Sequence, residues 1–168
     1  GIGGDGFWII HRPGKAPIGI SACGTAAALA TPKFYADKGH KTSIPTRAGL
    51  AALTVPGTIS GWEVALSLVP QDRLTPLSRL LADAIGHAKN GIAVTCNQAD
   101  CTTENRNDLK DVPGFAQTYL INGAPPRAGD RLVQPGLAQT LERLATHGLR
   151  SFYEGELAKT HAEYLERH

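Results

Sequence analysis

The chain has 168 residues, 42% of them apolar, and its 17 Lys and Arg against 15 Asp and Glu give a net charge of +2. This length and apolar content suit one globular domain with a hydrophobic core. The charges are scattered, and no basic run offers a stripe for phosphates, so nucleic acid is not an expected partner. No apolar stretch reaches the roughly 18 residues that a membrane span needs, so no membrane segment is predicted.

Two β-prone segments near the start of the chain predict an antiparallel hairpin. Residues 6–11 and 17–23 flank a turn at residues 12–16 (RPGKA). Small side chains such as Gly19 and Ser21 keep the second arm slim. The hairpin is therefore the first element that we expect.

Cap residues and apolar spacing predict the elements that follow. Threonine caps helix N-termini and proline suits the first helical position, so the two Thr-Pro pairs, at 31–32 and 75–76, mark helix starts. Residues 113–120 are too irregular to assign. The predicted elements are a helix over 32–38, a strand over 48–55, a turn at 56–57, helices over 58–69, 76–90 and 97–110, a strand at 132–133, and helices over 137–147 and 157–165.

The opening glycines match a dinucleotide-binding pattern, but in the wrong context. Gly1, Gly3 and Gly6 fit G-x-G-x-x-G, a loop that must follow a strand and open a helix to hold a pyrophosphate. Here the glycines lead into a strand at residues 7–10, so a nucleotide site is not expected. The chain also contains no methionine, which predicts that it is part of a longer protein.

The histidines and cysteines do not form a complete site. The six histidines are dispersed, and no two of them have the spacing of an HExxH helix, so no metal site is predicted. Cys96 and Cys101 would lie on different faces of a helix, since five residues turn it by about 500°, and we interpret them as packing residues. Cys23 is either a packing thiol on a slim strand or, less simply, a nucleophile. The odd cysteine count favours a reducing, cytoplasmic compartment.

Several blocks, in order and spacing, resemble the large subunit of the gamma-glutamyltransferase family of N-terminal-nucleophile hydrolases. The resemblance spans most of the chain. The blocks are residues 1–7 (GIGGDGF), 55–58 (VPGT) with 61–62 (GW), 80–85 (LLADAI) with 90–91 (NG), 129–135 (GDRLVQP), 137–141 (LAQTL), Gly148 and 152–155 (FYEG). Each block is weak alone, and together they make the resemblance specific.

The resemblance implies an α+β fold, an αββα sandwich of two antiparallel sheets to which a second subunit contributes. Residues 1–168 would form part of one large-subunit domain. Family members are made as precursors that cleave themselves, and the new N-terminal Thr of the small subunit is both nucleophile and base. The resemblance therefore places the catalytic residue outside this chain, requires no cofactor and no metal, and predicts a small subunit from the same precursor as partner, with a dimer of such heterodimers as a further expectation.

One departure from the family pattern bears on the substrate. In the transferases of this family the second hairpin strand runs into Asp-x-Arg-Glu-x-Ala-Pro, whose Arg binds the α-carboxylate of the glutamyl donor, whereas residues 21–27 here read SACGTAA and Cys23 takes the place of the Arg. Loss of such a charged contact costs roughly 2 to 5 kcal/mol. A small residue followed by glycine, as in Cys23-Gly24, resembles the amidohydrolase branch, which includes oxamate amidohydrolase.

The sequence thus predicts the large subunit of an amidohydrolase that cleaves a small amide such as oxamate. Ser21, Cys23 and Gly24 would line the acyl pocket. A glutamyl transferase or glutathione hydrolase that uses a relocated cation is the alternative substrate class. A non-catalytic structural subunit and a monomeric metal-binding domain are the alternatives from other classes.

Overall fold

The computed structural model describes residues 1–47, 49–51 and 54–167. These residues form an α+β fold of helices, short 3-10 turns and two small antiparallel sheets. The strands are β1 (Gly6–Ile10), β2 (Ile18–Ala22), β3 (Ile92–Ala93) and β4 (Arg131–Leu132). The helices are α1 (Pro32–Asp37), α2 (Thr58–Ser67), α3 (Leu77–Asn90), α4 (Cys96–Leu109), α5 (Phe115–Tyr119), α6 (Pro135–His147) and α7 (Glu156–Arg167).

The predicted hairpin is confirmed as β1 and β2. They pair in antiparallel register from Gly6 opposite Ala22 to Ile10 opposite Ile18. Directly opposed residues share a face of the sheet, so Phe7 lies on the same face as its partner Ser21. Phe7 is 70% exposed on that face, whereas the other face packs on α2.

Helices carry most of the core. The helices α3 and α6 pack along each other, and each ends at a glycine with positive φ, Gly91 at 87° and Gly148 at 83°, a conformation that favours glycine. The core joins this pair to α2, α7 and the 3-10 turn at Leu149–Phe152. Its buried members are Ile59, Leu81, Leu141, Leu144, Leu149, Phe152 and Leu157.

The helix predictions are confirmed with small shifts at the ends. At the second Thr-Pro pair the cap prediction is wrong, because Pro76 itself precedes the helix in an extended conformation and α3 begins at Leu77. The carbonyl of Pro76 accepts the N–H groups of Arg79 and Leu80 at 2.9 and 3.0 Å, which starts the helix without a side-chain cap. At α1 the predicted cap is present, since the Thr31 hydroxyl accepts from Phe34 N–H at 3.1 Å.

The strand predicted over residues 48–55 is largely wrong. Residues 49–51 form a 3-10 turn whose Leu50 carbonyl accepts from the Tyr35 hydroxyl at 3.0 Å. Strand-like pairing is limited to an isolated bridge between Thr54 and Ala26, extended by Val55 N–H donating to Thr25 O at 2.9 Å. The residues at 48, 52 and 53, which belong to the same prediction, lie outside the described part of the chain.

The packing interpretation of Cys96 and Cys101 is also wrong. Both thiols are exposed on α4. This helix has few apolar residues, and only Thr102 is buried among its described residues, so it packs through a narrow stripe that includes neither cysteine.

Candidate functional site

The predicted pocket residues lie together where β2 ends. Ser21 and Ala22 are the last two residues of the strand, and Cys23 and Gly24 follow them. The Ser21 hydroxyl donates to the Cys23 sulfur at 3.6 Å. Both side chains are exposed. The interpretation of Cys23 as a buried packing thiol is therefore wrong for this chain, and its thiol is accessible from solvent.

Gly24 is fixed by contacts that no other residue could make. A Cβ at this position would lie 1.4 Å from the Val55 carbonyl oxygen and 2.5 Å from the Val55 carbonyl carbon. The backbone of residue 24 thus lies directly against the backbone of residue 55. Its own N–H donates to Asp5 Oδ1 at 3.1 Å.

The turn at residues 55–58 packs equally closely. A Cβ at Gly57 would lie 2.2 Å from the Ala22 carbonyl oxygen. The N–H groups of Gly57 and Thr58 donate to the Gly4 carbonyl at 3.0 and 2.9 Å, and the Thr58 hydroxyl donates to the same oxygen at 2.8 Å. We call residues 4–6, 22–24 and 55–58 the glycine corner, because these three segments meet backbone to backbone.

This arrangement gives a physical reason against a phosphate site at the start of α2. At the N-terminus of α2 the Gly57 and Thr58 amides donate to the Gly4 carbonyl and the Ser60 amide donates to the Tyr153 hydroxyl, so three of the groups that could bind an anion there already have partners. A Cβ added at Gly6 would lie 3.5 Å from Thr58, an ordinary contact distance, and one added at Gly1 or Gly3 would meet nothing within 4 Å. The tightest approaches are instead at Gly24 and Gly57.

Two residues that sequence reasoning did not assign hold this corner. Asp5 binds Gly24, as described above. The Tyr153 hydroxyl donates to the Pro56 carbonyl at 2.8 Å and accepts from Ser60 N–H at 3.0 Å, so it bridges the turn and the first turn of α2. Tyr153 belongs to a block that carries the family resemblance, but a contact between residues 97 positions apart leaves no signal in sequence spacing.

The polar groups at and beside the corner determine what chemistry it could support. Beside the corner the Ser21 hydroxyl donates to the exposed Cys23 thiol, whereas the Asp5 carboxylate and the Gly24, Gly57 and Thr58 amides are hydrogen bonded within the corner. Activation of a thiol needs a base or a cation beside it. In the described residues the hydrogen bonds and ion pairs bring neither to Cys23, so this arrangement favours recognition over nucleophilic attack.

The two apolar cavities described next lie away from the predicted pocket residues, and the described part of the chain offers no metal site. Two apolar cavities of about 440 and 410 Å³ include none of the three predicted pocket residues. The first lies between β1, α2 and α3, and the second lies beside His161. Within residues 1–47, 49–51 and 54–167, no group of three histidine, cysteine or acidic side chains could hold a metal ion. No helix in that part of the chain is long and apolar enough to cross a membrane.

Comparison with known proteins finds relatives that match almost the whole of this chain. The chain is 50% identical over 165 residues to the oxamate amidohydrolase proenzyme of Klebsiella pneumoniae subsp. pneumoniae, covering 97% of this chain and 31% of that protein. It is 35% identical to the glutathione hydrolase-like YwrD proenzyme of Bacillus subtilis, covering 99% of this chain and 31% of that protein. The chain therefore spans about a third of the length of these relatives.

The fold agrees with this relationship. The crystal structure of cephalosporin acylase from Bacillus halodurans superposes with a TM-score of 0.89 at 29% identity, covering 100% of this chain and 32% of that one. The likeness shows that the hairpin, the glycine corner and the helices belong to an N-terminal-nucleophile hydrolase fold. All of residues 1–168 match the sequence profile described as gamma-glutamyltranspeptidase, and the chain accordingly belongs to the gamma-glutamyltranspeptidase family of hydrolases.

Proposed function

We propose that this chain is part of the large subunit of a self-cleaving amidohydrolase that acts on a small amide such as oxamate. In this proposal residues 1–168 lie in one large-subunit domain, and a small subunit from the same precursor completes the αββα sandwich. The word proenzyme in the relatives' names supports a precursor that is processed. The exposed, largely apolar face of the hairpin that carries Phe7 and Ile9 supports a second layer over it.

The proposed reaction uses a Thr at the new N-terminus of the small subunit. Its hydroxyl oxygen attacks the amide carbon while its own amine takes the hydroxyl proton. Backbone donors hold the oxyanion, and the amine returns the proton to the leaving nitrogen, which departs as ammonia. Water then attacks the resulting ester, releases the acid and restores the Thr. This chain would supply the wall of the acyl pocket through Ser21, Cys23 and Gly24.

One observation carries the choice of a small amide. Cys23 stands where the family's transferases have the Arg that binds the glutamyl carboxylate, and the described contacts of the corner bring no guanidinium to replace it. Because a thiol cannot form the bidentate pair, a glutamyl donor would lose its main anchor. The 50% identity to an oxamate amidohydrolase proenzyme supports the same choice.

The decisive test is a substrate panel on the protein expressed as its full precursor. We expect ammonia release from oxamate and related small amides, and little release of glutamate from glutathione. The opposite preference would establish the alternative, a glutathione hydrolase with a relocated cation. The 35% identity to a glutathione hydrolase-like protein supports testing this alternative. No turnover of any amide, with a residue other than Thr, Ser or Cys at the N-terminus of the accompanying chain, would indicate a structural subunit.

Substitution of Cys23 tests the pocket assignment. Cys23→Ala should leave self-cleavage intact and change KM for the preferred amide by about fivefold, since the side-chain contact is worth roughly 1 kcal/mol. Cys96→Ala, at an exposed thiol on α4, is the matched control and should retain the original KM. Unchanged kinetics of Cys23→Ala on every amide would remove Cys23 from the pocket.

Two further parts of the proposal concern the setting of the enzyme. The three cysteines are unpaired and exposed, which supports a reducing, cytoplasmic compartment. A dimer of heterodimers is the expected assembly, and the mass of the native particle in solution would test it.

A further inference from the structure

Asp5 lies immediately before β1, beside the end of the β1–β2 ladder. The β1–β2 ladder stops at the pair of Gly6 and Ala22. Residue 5 and residues 23–24 lie just beyond this last pair, where no further strand register holds the backbone. An amide at such a position needs another acceptor or water.

The Asp5 side chain supplies that acceptor. Its Oδ1 accepts from Gly24 N–H at 3.1 Å, so a carboxylate replaces the missing carbonyl of the ladder. The neighbouring residue Gly4 accepts from Gly57 and Thr58 through its carbonyl. The opening segment thus binds the end of β2 through a side chain and the start of α2 through its backbone.

The contact at Gly24 bears directly on Cys23. Gly24 lies against the Val55 carbonyl on one side and hydrogen bonds to Asp5 through its N–H. The peptide unit that donates this N–H also contains the Cys23 carbonyl, so the hydrogen bond restricts rotation about the bond that sets the direction of the Cys23 backbone. Asp5 itself is exposed, which leaves its charge largely solvated and makes the hydrogen bond its main effect.

We propose that Asp5 is a positioning residue for the acyl pocket: its carboxylate fixes the backbone at Cys23 and Gly24 and so places the Cys23 side chain against the substrate. The inference rests on the proposed function for its catalytic consequence. The role needs a hydrogen-bond acceptor and does not need a charge. Asp5→Asn keeps the acceptor oxygen, whereas Asp5→Ala removes it.

The test compares D5A, D5N and the control D72A in the full, self-cleaved protein. Asp72 is an exposed carboxylate on the 3-10 turn at Gln71–Arg73, remote in sequence from the glycine corner. Hydrogen exchange of the peptide containing Gly24 reports the hydrogen bond directly. Initial rates on the preferred small amide separate KM from kcat.

The expected result is a graded loss. D5A should raise the exchange rate of the Gly24 amide by roughly five- to tenfold and KM by up to about fivefold, with a smaller change in kcat, since one exposed hydrogen bond is lost. D5N should show less than half of each effect on a logarithmic scale, and D72A should match the parent protein.

Three results would overturn the proposal: unchanged Gly24 exchange in D5A, faster exchange with unchanged KM, or equal damage in D5N and D5A. The parent protein separates this failure from that of the proposed function. If the parent hydrolyses no amide, the proposed function and the catalytic role of Asp5 both fail, while the exchange rates still decide whether Asp5 holds the backbone.

Discussion

The glycine corner and the pair of helices α3 and α6 are held together by opposite means. In the corner, backbone lies on backbone, and a Cβ added at Gly24 or Gly57 would fall 1.4 or 2.2 Å from a carbonyl oxygen. Between the helices, side chains fill the space, and Leu144 is fully buried. The corner has no room for a carbon added at Gly24 or Gly57, whereas the helix pair is stabilised by buried side chains such as Leu144.

This difference agrees with the roles proposed for the two regions, a wall of the substrate pocket and a hydrophobic core. Close backbone packing places the end of β2 with little freedom, which suits a wall that must present Cys23 in one position. Side-chain packing supplies the larger share of folding free energy, because apolar area is buried there. The two regions meet through α2, whose first residues belong to the corner and whose Ile59 belongs to the core.

Removal of carbon from the helix pair should give the largest effect on stability. Leu144→Ala should lower the free energy of unfolding by about 3 to 5 kcal/mol, because the side chain is fully buried and would leave a cavity. Urea unfolding of the purified protein measures this. Leu165→Ala, at a side chain that is 64% exposed on α7, is the control and should cost less than about 0.5 kcal/mol. Similar losses in both variants would contradict the assigned core.

Addition of carbon to the corner is the converse test. Gly24→Ala should cost about 3 kcal/mol, at the upper end of overpacking, because the new methyl group would overlap the Val55 carbonyl and a backbone cannot move aside as a side chain can. Gly86→Ala on α3 is the control, since a Cβ there meets nothing within 4 Å. The control should be neutral or slightly stabilising, by up to about 1 kcal/mol. Equal unfolding midpoints for the two variants would refute the close approach at Gly24.

The same contrast explains what the sequence could predict. The hairpin and the helices α2, α3, α4, α6 and α7 follow from local patterns of apolar spacing, turns and caps, and these predictions are confirmed within a few residues. The strand over 48–55 fails because a tertiary contact, from the Tyr35 hydroxyl to Leu50, stabilises a 3-10 turn there. Local patterns do not contain such contacts.

The candidate site was predicted only in part, because sequence patterns do not show which distant residues contact it. The family resemblance predicts Cys23 and Gly24 as pocket residues, and the structure brings both to the glycine corner. The residues that hold the corner were not predictable, because Asp5 is 19 residues from Gly24 and Tyr153 is 97 residues from Pro56. Whether these residues contact substrate stays a prediction.

His161 lies beside both the glycine corner and α6, and its substitution is the test with the smallest expected effect. His161 on α7 lies edge-to-face against Phe152, with ring centroids 5.1 Å apart, and lines the cavity of about 410 Å³ that also includes Ile2 and Pro56. Partial burial lowers the pKa of His161 below its usual value of 6.5. The folded protein therefore resists protonation at this residue more than the unfolded chain does.

The sign of the pH dependence follows from this difference. Above pH 6.5 His161 is neutral in both states and costs nothing; as the pH falls below 6.5 the unfolded chain binds the proton first, so stability is lost until the pH passes the lower pKa of the folded state. His161→Gln should reduce the drop in Tm between pH 7.5 and 5.5, and His87→Gln, at an exposed position on α3, should leave it as in the parent protein. Because His161 borders both the corner and the helix pair, a single unfolding transition that shifts as a whole would show that they unfold together. If the drop in Tm between pH 7.5 and 5.5 is unchanged in His161→Gln, the neutral form of His161 does not stabilise the folded protein.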